Sequence, residues 1–425
     1  MSITRRAFMK GGAIAMVGTS VIPSFLTRAV FAESLSATTA GKKRIVVLFQ
    51  RGAADGLNIV VPHAEETYYR LRPTINIPRP GANGQSCIDL DGQFGLHPAM
   101  SAFKPLWDNK QLAIIHATGS PDNTRSHFDA QDYMESGTPG IKSTDDGWLN
   151  RSLQRENKDQ KEKLSPFRAI ALGTQLPRAL AGSQPAVAIS NIQDFGVGGR
   201  NGGAVAQSLG NSFESMYSHS VDSVLHGTGN ETFDAVKMLK AADPAKYQPA
   251  AAANYPRGRF GDSLKQVAQL IKADLGVEVA FADIGGWDHH VNEGNTQGQL
   301  ANLTREFSQS ILAFWNDIGD LGEQTVLVTM SEFGRTAREN GTRGTDHGHA
   351  NVMFVLGGPV KGGKVYGRWP GLDDRHLYEG RDLDVTTDFR TVLSESLTTH
   401  MGVKNLDTVF PGFNQPKNGP LGFLG

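Results

Sequence analysis

Residues 277–290 read Val-Glu-Val-Ala-Phe-Ala-Asp-Ile-Gly-Gly-Trp-Asp-His-His. The first six form a short, nearly continuous apolar run, the pattern of a strand covered on both faces. Gly285 and Gly286 end it, and Asp288, His289 and His290 follow at once. One carboxylate and two imidazoles in three positions are a high density for a surface loop. Zinc accepts both donor types, whereas hard cations take the carboxylate alone. In extended backbone Asp288 and His290 share one face. A surface Asp–His hydrogen bond is the plainer reading of the same residues.

Runs of the same kind occur at 44–49, 111–117, 167–172, 324–330 and 351–356. Helical patterns alternate with them. Leu264, Val267, Ala268 and Ile271 share a face within 260–275. Within 298–318, Leu300, Leu303, Phe307, Ile311 and Ile318 recur on one stripe with Phe314 or Trp315. Strand–helix alternation predicts an α/β fold with a mostly parallel central sheet. The stretch 141–260 is less regular, with a charge-rich segment at 155–163 and a Gly-rich one at 196–203. It reads as an insertion or subdomain. The Gly-rich segment is not a dinucleotide fingerprint, because Asn201 stands at the third glycine position. It reads as a loop, from which Arg200 can reach an anionic substrate.

Ligands of open α/β sheets bind outside the carboxyl ends of the strands, and there the polar residues gather. Asp55 lies in the turn Arg51–Asn58 after the first run, where it reaches a metal or bonds its own backbone. Ser126 and His127 follow the 111–117 run. Ser126 suits a helix N-cap and equally a nucleophile on phosphate or sulfate. Glu332 and Arg335 follow the 324–330 run. Arg335 offers a planar donor to an anion, or a salt bridge to Glu332. Asp346, His347 and His349 lie in the Gly-flanked loop that comes next. Together these residues describe a dispersed metal site of the metallohydrolase kind, with one ion or two. His127 or His349 is placed to relay protons.

The 425 residues carry a formal charge of −1 and no basic run, so a nucleic-acid partner is not expected. A single cysteine, Cys87, excludes an intrachain disulfide and a cysteine-based zinc site. The N-terminus, Thr4-Arg5-Arg6-Ala7-Phe8-Met9-Lys10, is a twin-arginine export signal. The apolar stretch behind it is broken by Gly18 and Pro23 and is short for a membrane span. Val30-Phe31-Ala32 suits cleavage after Ala32. Residues 1–32 are therefore expected to be a leader, with the twin-arginine translocase as partner. The destination is then the periplasm or beyond, and the mature chain has no membrane span. Retention as an anchor helix is the alternative. The leader holds four basic residues and no acid, so its loss takes the charge from −1 to −5.

Five segments carry a family resemblance: Arg51–Asn58, Ser126–Gln131, Gly285–His290, Ser331–Thr336 and Gly344–His349. Through them the chain resembles the bacterial domain-of-unknown-function family 1501, from about Lys43 onward and including the leader. That family is similar to the alkaline phosphatase and sulfatase superfamily. The resemblance implies a single three-layer α/β/α sandwich over 43–425, with metal ions at the strand ends. It implies divalent ions, zinc or magnesium, manganese or calcium, and hydrolysis of a small anionic phosphate or sulfate ester. By that likeness Asp55 matches the first-strand ligand and Ser126 the nucleophile. Asp288 and His290 supply one metal, and Glu332 with a histidine of the 346–349 loop supplies the rest.

The chain departs from the superfamily in three places. Glu332-Phe333 stands where Asp-His is usual, the Asp288–His290 spacing is short, and Cys87 is not in a sulfatase motif. The expectation is an exported metal-dependent ester hydrolase. The alternative is a non-catalytic binding protein with a degraded metal site. An oxidoreductase, the third reading, lacks a cofactor motif.

Overall fold

The computed structural model describes residues 42–81, 84–142, 144–154, 165–192, 238–239, 246–417 and 419–425. The leader, the charge-rich 155–163 segment and the Gly-rich 196–203 segment with Arg200 lie outside the described residues.

Each apolar run of the sequence is a strand. They are β1 (Arg44–Gln50), β2 (Leu112–Gly119), β3 (Ala169–Leu172), β5 (Val279–Ile284), β6 (Thr325–Ser331) and β7 (Asn351–Gly357). Three short strands complete one nine-stranded sheet: β4 (Val187–Ile189), β8 (Lys364–Tyr366) and β9 (Thr387–Asp388). Its order is β8-β2-β7-β6-β1-β5-β3-β4, with β9 also paired to β2. All neighbouring pairs are parallel except those made by β7. The antiparallel β7 matters for the site. Its amino end, at Asn351, lies at the same edge as the carboxyl ends of β1, β2, β5 and β6. The loop 344–350, which precedes β7, therefore joins the loops that follow the other four strands.

Alternate residues of the strands feed two cores. Val46, Leu48, Ile114, Ala280, Ala282, Leu327 and Phe354 pack on one side with α2 (Arg259–Lys272) and α3 (Gln299–Ile318). Ile45, Val47, Phe49, Ile115, Phe281, Val328 and Val355 pack on the other with Trp148, Phe389, Val392 and Phe410. Period-two alternation thus yields a three-layer α/β/α sandwich, each face covered by helices. All seven residues of β1 are buried. Burial of a large apolar side chain stabilises by about 1.5–3 kcal/mol, so the central strands hold the sheet edge that carries the site. Among the described residues, no helix is long and apolar enough to cross a membrane.

Candidate metal centre

The loop after β2 leads into α1 (His127–Ser136). Ser126 is its N-cap, accepting from the Asp129 amide at 3.5 Å, and Gly137 ends it in the left-handed region, φ 70°. His127 is thereby the first residue of the helix, held at the strand-end edge. The loops after β6 and before β7 run side by side. Thr336 N–H donates to the Asp346 carbonyl at 3.0 Å, and Gly334 N–H donates to that of His349 at 2.8 Å. The loops approach closely. A Cβ on Gly344 would lie 2.4 Å from the His290 carbonyl, and one on Gly348 would lie 2.3 Å from the Arg335 carbonyl carbon. Glycine at these two positions lets His347 meet His290.

Three side chains converge, and His290 stands against two of them. One ligand atom each of His127, Asp288 and His347 lies within 4.8 Å of the others. His290 Nε2 is 3.0 Å from Asp288 Oδ1 and 3.0 Å from His347 Nε2. Asp288 Oδ1 is 3.4 Å from His347 Nε2, and Oδ2 is 3.6 Å from His127 Nε2. Asp288 and His290 come together across a tight turn rather than along extended backbone: His289 N–H donates to the Trp287 carbonyl at 3.0 Å. His289, between them, is buried and turned away, and burial pushes its imidazole down to about 4.

Each imidazole is anchored at Nδ1. His127 Nδ1 is 2.9 Å from Glu332 Oε1, His347 Nδ1 is 2.8 Å from the Arg125 carbonyl, and His290 Nδ1 is 3.1 Å from Asp346 Oδ1. An acceptor at Nδ1 fixes the proton there in the neutral ring and leaves the Nε2 lone pair free. All three Nε2 atoms lie near Asp288, and those of His290 and His347 are hydrogen-bonded to each other at 3.0 Å, a bond that a cation would replace. His127 Nε2 is buried and has no hydrogen-bond partner. Four donors on a zinc ion, each about 2.0–2.1 Å away, stand about 3.3 Å apart. The separations above bracket that value, and the imidazole-rich donor set suits zinc better than a hard cation. Backbone carbonyls and carboxylates behind metal-bound imidazoles are the usual outer layer of such sites.

Charge agrees with geometry. Burial alone would raise the Asp288 carboxyl, but the Arg335 guanidinium, with His290 and His127, outweighs it and holds the group below the usual range. Burial would likewise raise Glu332, but His127, Gln131 and the Gly52 amide hold it down. The hydrogen bond to Glu332 raises His127. Asp288 and His290 remain partly open, at 44% and 40% side-chain exposure, so a small molecule can reach the cluster.

The other expected residues stand elsewhere. Asp55, expected as a ligand, is buried and held by Arg72 through both oxygens, one at 2.9 Å, so its carboxylate is spent on that ion pair. His349, expected as a ligand or relay, bonds the Ser120 carbonyl through Nε2 at 3.1 Å and packs against Tyr378 with the rings tilted at 50°. Glu332 and Asp346 stand behind imidazoles rather than among the converging donors. Arg335, expected to face an anion, is 1% exposed. It donates to the carbonyls of Ala53 (2.7 Å), Thr345 (3.1 Å), Trp287 (3.2 Å) and Gly52, and to Asp288 (2.6 Å). Its donors are occupied, and it ties three loops together. Phe333 packs 5.0 Å from the ring centres of both His127 and His347 and offers no donor.

Glu293 gave no signal in the sequence. It is fully buried, accepts from Thr345 Oγ1 at 2.9 Å and faces Asp55. Burial and the Asp55 charge push its carboxyl well above the usual range, which favours the protonated acid beside the Asp55 carboxylate. A group whose pKa is raised by folding stabilises the fold at low pH, and that contribution is lost as pH rises toward the folded value. The loss is about 1.4 kcal/mol per pH unit while Glu293 is ionised only in the unfolded chain. Glu293→Gln keeps a donor and does not titrate. Thermal unfolding from pH 5 to pH 8 is expected to show a shallower loss of stability in Glu293→Gln than in the parent. Equal slopes would contradict the protonated pair.

A family model described as "Protein of unknown function (DUF1501)" matches residues 42–409. No curated protein matches the chain. Several solved structures are distantly similar, three of them as follows. One is the zinc complex of the C-terminal periplasmic domain of EcEptC from Escherichia coli, at 9% identity, 78% of this chain and 76% of that one, TM-score 0.31. Another is a protein in the alkaline phosphatase superfamily from Vibrio parahaemolyticus, at 10% identity, 82% and 69%, TM-score 0.29. The third is the PsFucS1 sulfatase from Pseudoalteromonas sp., at 12% identity, 96% and 76%, TM-score 0.37.

Proposed function

We propose that this chain, which belongs to the DUF1501 family, is an exported metal-dependent hydrolase of small phosphate or sulfate esters. One observation carries the reading. Three imidazoles, each anchored at Nδ1, turn their Nε2 atoms toward one half-exposed carboxylate. His127, His290, His347 and Asp288 would hold a single divalent cation, with zinc the best match to the donors. Such a cation supplies Lewis-acid polarisation of an ester oxygen. Phe333 stands where the superfamily resemblance would place another ligand, which favours one ion over two.

The chain's own groups provide the rest. Ser126 precedes His127 at the amino end of α1, where backbone N–H groups favour an anion. Its hydroxyl is the proposed nucleophile. Arg335 holds Asp288 in place and does not bind the substrate. Export rests on the twin-arginine motif at Arg5-Arg6 and places the activity in the periplasm or beyond.

The test is metal content of the purified protein with turnover on an aryl phosphate, an aryl phosphodiester and an aryl sulfate. One equivalent of metal and turnover of at least one ester are expected. Metal without turnover on any of them would favour the non-catalytic binding protein, to which the Phe333 position also lends support. Ser126→Ala and Ser126→Asn are both expected to lose turnover. Asn retains the helix cap, whose loss in Ala costs about 1 kcal/mol. Turnover retained by either variant removes the serine from the reaction.

A further inference from the structure

Behind His127 lies a chain of buried and half-buried polar groups that the proposed reaction does not itself use. Glu332 Oε1 accepts from His127 Nδ1 at 2.9 Å, from Gln131 Nε2 at 2.9 Å and from the Gly52 amide at 2.8 Å. Gln131 stands four residues after His127, one turn along the same face of α1. Its other amide atom, Oε1, accepts from Arg51 Nη1 at 3.0 Å. Arg51 is fixed in turn by Asp283 at 2.6 Å and by Glu135 at 2.9 Å.

A glutamine amide can present either its oxygen or its NH2 to a neighbour. Toward an ionised carboxylate the oxygen is repulsive. Arg51 occupies the oxygen and so commits the NH2 to Glu332. With Gln131 and Gly52 donating, Glu332 stays an acceptor, and an acceptor beside His127 requires the proton on Nδ1. The unpartnered Nε2 of His127 is the end of this chain.

We propose that Gln131, oriented by Arg51, is a positioning residue that sets the tautomer of His127 and thereby the affinity of the centre for its cation. The proposal rests on the metal reading above, but its first link, the tautomer, does not need a metal. Both links end on one atom, so removal of Gln131 is felt only through His127.

The test uses the full-length protein and three variants, Gln131→Leu, Gln131→Glu and His127→Ala. The nitrogen-15 shifts of the His127 ring are recorded without metal at alkaline pH, where the ring is neutral. Zinc affinity is measured by competition with a chromophoric chelator. The parent is expected to show Nε2 unprotonated. Gln131→Leu is expected to mix the tautomers and to weaken zinc binding by about 10–100-fold, the usual cost of losing an outer-layer partner. Gln131→Glu sets a second carboxylate against Glu332 and is expected to lose at least as much. In the His127→Ala background, Gln131→Leu is expected to change zinc affinity no further.

An unchanged tautomer and affinity in Gln131→Leu would overturn the proposal. So would an equal additional loss in the His127→Ala background, which would mark Gln131 as a general prop of the fold. If the parent binds no zinc, the metal reading fails while the tautomer measurement still decides the role of Gln131.

Discussion

Asp288→Asn is expected to abolish stoichiometric binding of a divalent cation and, with it, ester turnover. Asp288 lies within 3.6 Å of the Nε2 atoms of His127, His290 and His347 and brings the only negative charge among these four groups. An amide keeps the shape but not the charge. Losing an outer partner of a metal site costs about 10–100-fold in affinity, so loss of the central carboxylate should exceed the upper end of that range. The fold should survive, because Asp288 is 44% exposed and stands on a loop. Metal analysis after gel filtration, with circular dichroism to confirm the fold, reads both. Metal content equal to that of the parent would remove Asp288 from the centre.

Arg335 is expected to show the opposite pattern, a stability defect rather than a ligand defect. The guanidinium is buried and spans Gly52 and Ala53 after β1, Trp287 and Asp288 after β5, and Thr345 before β7. Arg335→Ala leaves these carbonyls without their donor and Asp288 without its counter-charge. Leaving a buried acceptor without its donor costs about 1–3 kcal/mol, and four carbonyls lose theirs here. Arg335→Lys is expected to recover little, because one ammonium cannot reproduce a planar fork that serves several acceptors. Denaturant unfolding measures the effect. A loss below about 1 kcal/mol, the scale of an exposed ion pair, would show that Arg335 is not the staple of the three loops.

These two residues show what the sequence could and could not convey. The six apolar runs were legible because strands covered on both faces need unbroken hydrophobic stretches. The strand β7 was legible as a strand but not in direction, since periodicity carries no sense of polarity. Its reversal is what brings His347 to the site. The short strands β4, β8 and β9, of three, three and two residues, offer too few positions for a pattern.

Within the site, the residue types pointed to a metal, and His127, Asp288, His290 and His347 meet. Spacing could not separate ligands from the groups behind them. Glu332 and Asp346 bring carboxylates like that of Asp288 but stand on the far side of imidazoles. Asp55 has the look of a ligand because it lies in the Gly-rich turn after β1. Arg72, seventeen positions on at the end of the short helix Glu66–Leu71, claims it. Gln131 lay inside a motif and at helical spacing from His127, so a signal existed. Glutamine does not announce chemistry, and the signal carried weight only once Glu332 was placed beside it.

The central claim is a single centre of three imidazoles and one carboxylate. Zinc K-edge X-ray absorption on protein reconstituted with one equivalent of zinc tests it most directly. A four-coordinate first shell of nitrogen and oxygen is expected, with outer-shell scattering from three imidazole rings that falls to two in His127→Ala. A first shell with no imidazole scattering, or a spectrum unchanged in His127→Ala, would contradict it.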